Sequence, residues 1–93
     1  MVQVNYVHER DELEVVFKEV DIPEVVKISS GVTFEFGPNE LSAIILPNFG
    51  QMIHVQGLEY ASLEFESLDQ DSLKIKFNEQ TVNIKLDLSE LEK

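Results

Sequence analysis

His8, Glu9 and Asp11 place one imidazole and two carboxylates within four positions. With His54 folded beside them they would offer the mixed nitrogen and oxygen donors that zinc or a harder cation takes. A metal-dependent enzyme around His8 and Asp11 is the reaction chemistry this set suggests. The spacing matches no established zinc pattern, however, and polar residues collect in turns between strands for reasons of backbone geometry. Asp69-Gln70-Asp71-Ser72 begins like a calcium loop but lacks the third acid, the glycine and the distant glutamate, and reads as a hairpin turn. Gly31, Gly37, Gly50 and Gly57 stand singly, so no phosphate-cradling loop is formed. Two histidines and several serines occur without a nucleophile elbow or a base beside a nucleophile. Glu64 and Glu66 share one strand face and read as solvated surface rather than as a glycosidase pair. No catalytic, cofactor-binding or metal-binding residue is assigned, and the chain is read as a non-enzyme without a cofactor.

These residues need elements to hold them, and 93 residues suffice for one domain with a modest core. The absence of cysteine rules out a disulfide framework and thiolate chemistry. The N-terminal residues lack the basic flank and apolar core of a signal peptide, and no apolar run reaches the ~20 residues that span a bilayer. A cytoplasmic protein is expected. Eighteen acidic residues against seven basic give a formal charge of −11, which disfavours direct nucleic-acid or anionic-membrane binding and steers the molecule toward basic surfaces.

The organising stretch is 31–46. Val32, Phe34 and Phe36 alternate with Thr33 and Glu35, Gly37-Pro38-Asn39-Glu40 supplies a turn, and Leu41 to Leu46 is apolar on both faces. This predicts a central hairpin needing cover on each side. Before it, alternation over Gln3 to Val7 and 13–18 predicts a hairpin around the polar turn 8–12, with Val16 apolar on the outward face. Asp21-Ile22-Pro23 marks a bend or edge, and 24–30 is β-branched with a kink at 29–31. Residues 47–57 read as a connector with a short helical turn, in which Phe49, Met52 and Ile53 either plug the core or form a contact surface. Three one-sided strands follow: Leu63 and Phe65; Leu73, Ile75 and Phe77; Val82, Ile84, Leu86 and Leu88.

Placing Phe65 opposite Ile75 sets Glu64 against Lys76 and Glu66 against Lys74. A turn over 78–81 would bring Ile75 opposite Ile84 and Lys74 opposite Lys85. The tail 89–93 reads as a frayed turn. The expected fold is mainly β: an antiparallel meander of about six to seven strands, with little helix, in a two-layer sandwich or partly open barrel. Residues 1–53 form one meander and 58–93 a second packed on it within a single domain, covering the side that bears Val16 and Ile45.

Tyr6, Glu9, Asp11, Leu13 and Val15, followed by Gly31-Val32 and Leu41-Ser42-Ala43-Ile44-Ile45-Leu46, stand at the spacing of two patterns of a prokaryotic family. The N-terminal half thus resembles the domain of unknown function 2283 family. Val7 and Glu14 replace that pattern's Asp and Tyr, Glu40 stands for its turn glycine, and Ala43 and Ile45 stand for its Gly and Glu. The resemblance implies a small β-meander and brings no activity or catalytic residues with it.

The function expected is that of a small acidic interaction protein binding a basic partner protein, in a sharper form as a nucleic-acid mimic or phage-type inhibitor. Glu12, Glu14, Glu59, Glu64 and Glu66, with Phe49 and Met52, form the expected interaction surface. A ligand-free structural or homo-oligomeric module, joined through strand edges or through Val16 and Ile45, is the alternative.

Overall fold

The computed structural model describes residues 2–69 and 71–86. Alternating apolar residues form eight strands: β1 (Gln3–Val7), β2 (Glu12–Val16), β3 (Glu24–Lys27), β4 (Thr33–Phe36), β5 (Leu41–Leu46), β6 (Leu63–Asp69), β7 (Ser72–Phe77) and β8 (Gln80–Lys85). One short helix, α1 (Phe49–Ile53), and 3-10 turns at His8–Arg10 and Leu58–Tyr60 complete the described elements. Two antiparallel sheets result, ordered β1-β2-β5-β4-β3 and β6-β7-β8, and no barrel closes. The 31–46 hairpin supplies β5, the middle strand of the larger sheet. Gly31 between β3 and β4 takes φ +95°, a left-handed value that glycine reaches without a Cβ penalty.

Leu13 and Val15 of β2, Phe34 of β4, and Ile44 and Leu46 of β5 share one face and are buried. Leu73, Ile75, Ile84 and Leu86 from the smaller sheet pack against them in a single cluster. Phe17 and Phe65 meet edge-on across the layers, their centroids 5.4 Å apart. Each such side chain withdrawn from water contributes about 1.5–3 kcal/mol before entropy is counted. Buried Ser42 donates its hydroxyl to the Glu35 carbonyl at 2.9 Å, beside a register shift in β4.

The smaller sheet therefore covers the face opposite the one expected. Val16, Ala43 and Ile45 lie on the outer side of the larger sheet, in register with Glu14, Thr33 and Glu35. Burying that side would strip water from the Glu14 and Glu35 carboxylates, whereas Leu13, Val15, Phe17, Phe34, Ile44 and Leu46 carry no charge to desolvate.

Pairing in the smaller sheet follows the expectation at Phe65↔Ile75 and Glu64↔Lys76 and departs from it elsewhere. A register shift between Phe65 and Ser67 sets Ser67, not Glu66, opposite Lys74. The β7–β8 turn holds two residues, not four, with Asn78 at φ 54°. Asparagine tolerates that conformation, and its amide oxygen accepts the Ser62 N–H at 3.1 Å. The tight turn slides β8 by two residues, so Ile75 faces Val82 and Lys74 faces Asn83, and the expected Lys74–Lys85 clash is removed. The tail 89–93 lies outside the described residues, as do Leu88 and Gln70.

Candidate functional site

The polar turn after β1 is built on Asp11. Its backbone is left-handed, with φ 50°, a conformation aspartate adopts more readily than most residues. That geometry carries its side chain to the start of α1. One carboxylate oxygen accepts the Tyr6 hydroxyl and the Gly50 N–H at 2.8 Å, and the other accepts the Gln51 N–H at 3.4 Å. The Asp11 carbonyl accepts the Phe49 N–H at 2.9 Å. Asp11 thereby takes up three donors of a helix that has no side-chain cap of its own. A Cβ on Gly50 would sit 2.9 Å from the Asp11 oxygen, so glycine is what admits the carboxylate.

This bonding sets the titration of both partners. The hydrogen bond to Asp11, then burial, then the charges of Asp11 and Glu59 push the Tyr6 phenol up to about 12. Partial burial pushes the Asp11 carboxyl up, but the bonds from Tyr6, Gly50 and Gln51, with the nearby His8, outweigh it and hold the group below the usual carboxylate range.

A cleft of about 850 Å³ opens beside this knot, lined in part by Tyr6, His8, His54, Leu58 and Glu59. His8 Nδ1 lies 3.1 Å from a Glu59 carboxylate oxygen. A phenol raised to about 12 gives up its proton reluctantly, and a carboxylate held below the usual range takes one up weakly near neutrality. Among the described residues, no three histidine or acidic side chains gather closely enough to hold a metal ion. The knot joins the turn after β1 to the start of α1.

The residues expected to form one interaction surface are dispersed. Phe49 is fully buried in the core, which removes it from any surface. Met52 is 45% exposed, and Glu59 borders the cleft. Glu12 and Glu14 belong to the larger sheet, where Arg10 reaches them at 2.9 and 3.6 Å. Glu64 and Glu66 belong to the smaller sheet, Glu64 opposite Lys76 and Glu66 accepting the Thr81 hydroxyl at 2.9 Å. The two outward faces lie on opposite sides of the shared core, so the five carboxylates make no single row.

A different set comes together on the outer face of the larger sheet. Val16 pairs with Ala43, and Ala43 with Glu35; in the next row Glu14 pairs with Ile45, and Ile45 with Thr33. The segment 18–21 borders these rows and brings Glu19 and Asp21 beside them. Among the described residues, no other strand or helix is laid over this face. Comparison with known protein families, with curated proteins and with solved structures finds no match.

Glu19, Asp21 and Glu35 were not singled out by the sequence pattern, because each reads locally as ordinary surface. The available signal was Val16 and Ile45, apolar at outward positions.

Proposed function

We propose that the protein is a non-enzymatic interaction module that binds a basic partner protein through the outer face of its larger sheet. The observation that carries this reading is the mixed character of that face: apolar Val16, Ala43 and Ile45 sit among four acids, Glu14, Glu19, Asp21 and Glu35, and one base, Lys18, which pairs with Glu40. An acidic rim around apolar area combines long-range steering with short-range contact, the division of labour found at protein interfaces. Glu64 and Glu66 lie on the other sheet, which favours a local binding face over a row of charges mimicking a nucleic acid. The resemblance of the N-terminal half to the domain of unknown function 2283 family belongs to the same reading, with Tyr6 and Asp11 in structural roles.

Calorimetry with a short oligolysine peptide tests the proposal. Saturable one-to-one binding at low salt, weakening at least tenfold as ionic strength is raised, is expected. No saturable binding at low salt overturns it.

A further inference from the structure

The outer face is not flat. Ala43, the small residue between Val16 and Glu35 in its row, leaves a hollow of about 450 Å³ beside Ile45, walled on one side by segment 18–21. The charges around it are unevenly compensated. Glu14 has Arg10 at 3.6 Å, and Lys18 is committed to Glu40 at 2.9 Å. Glu19, Asp21 and Glu35 border the hollow without an ion-pair partner among the described residues. Three carboxylates without an ion-pair partner among the described residues stand around half-buried Val16 and Ile45, with Ala43 buried between them, and one kind of group suits both the charge and the apolar area, an apolar stem ending in a cation.

We propose that the hollow receives a lysine side chain of the partner protein, its methylenes on Val16, Ala43 and Ile45 and its ammonium among Glu19, Asp21 and Glu35. This rests on the interaction reading above and names the group recognised. Lysine suits the site better than arginine because the carboxylates come from separate elements, β4 and segment 18–21. A compact ammonium with three rotatable donors can meet oxygens from several directions, whereas a guanidinium favours one planar, two-point partner. An uncharged apolar segment would desolvate the carboxylates without replacing their water. A second copy of this chain, docked face to face, would set the same acids against each other.

The test is a methyl-detected NMR titration with Nα-acetyl-lysine-N-methylamide at low salt, set against the same compound acetylated at Nε, which keeps the stem and loses the charge. The expected result is a saturable millimolar shift of the Val16, Ala43 and Ile45 methyl signals with the charged probe and none with the acetylated one. E19Q/D21N/E35Q, which changes only surface groups and keeps the native spectrum, is expected to weaken binding roughly tenfold, the loss of about 1.4 kcal/mol. Equal response to both probes, undiminished binding to the triple variant, shifts centred on another surface, or no shift overturns the proposal. If oligolysine still binds when the lysine probe leaves these methyls unmoved, the hollow is refuted while the interaction reading stands; if neither binds, both fail. Self-association that shifts the same methyls as protein concentration rises, without probe, would make a second copy the occupant and overturn the lysine assignment.

Discussion

Asp11 ties three parts of the chain together: Tyr6 on β1, its own turn, and the first residues of α1. Replacing it with alanine leaves the Gly50 and Gln51 N–H groups and the Tyr6 hydroxyl without their acceptor, and is expected to cost about 1–3 kcal/mol in urea unfolding. Tyr6→Phe removes one bond and should cost about 1 kcal/mol. The double variant should cost less than the sum of the two, because they share an interaction. Gly50→Ala should destabilise as well, since its new Cβ meets the Asp11 oxygen. Titration gives the same knot a pH signature. Asp11 is held below its unfolded value near 4, so its contribution is complete above that value and lost as pH falls through the lower folded one. Tyr6 is raised to about 12 from an unfolded value near 10, so its contribution holds below about pH 10 and is lost as pH rises toward 12. Unfolding midpoints measured across both ranges should lose these two slopes in the Asp11→Ala variant. Asp11 was legible as a turn residue from its neighbours; its reach to Gly50, thirty-nine positions away, was not, because no local pattern records a long-range hydrogen bond.

Most strands were legible because alternation marks them: Phe34 with Phe36, Leu73 with Ile75, Val82 with Ile84. Which face each sheet turns inward was harder. β5 is apolar on both sides, so its own pattern could not choose between Ile44 and Ile45; the charges at Glu14 and Glu35, on neighbouring strands, decide it. The β7–β8 register was missed for a comparable reason, as Asn78 accepts a left-handed conformation and shortens the turn. The two faces of β5 give a direct check. Ile44→Ala empties a fully buried site and should cost about 2–5 kcal/mol. Ile45→Ala, on the partly open outer face, should cost no more than about 1.5 kcal/mol. Comparable losses at both positions would show that the outer face is covered as the inner one is.

At the scale of the whole molecule, the charge of −11 opposes the compact state by self-repulsion. Moderate sodium chloride should therefore raise the unfolding midpoint, and E19Q/D21N/E35Q should raise it at low salt, because it removes three carboxylates without an ion-pair partner among the described residues. No described helix is long and apolar enough to cross a membrane. The molecule's two broad faces differ in compensation: Lys74, Lys76 and Lys85 are spread through the smaller sheet, whereas the hollow on the larger sheet has uncompensated acids. Their difference was hidden in the sequence because Glu35, on β4, is brought beside Glu19 and Asp21 only by the fold. The outer face of the larger sheet is the proposed meeting place for basic partners. The most direct measurement is an NMR footprint of oligolysine on the isotope-labelled protein at low salt. The shifted signals are expected to cluster on Glu14, Val16, Glu19, Asp21, Glu35, Ala43 and Ile45; a footprint centred on Glu64 and Glu66, or spread evenly over both sheets, would rule this face out.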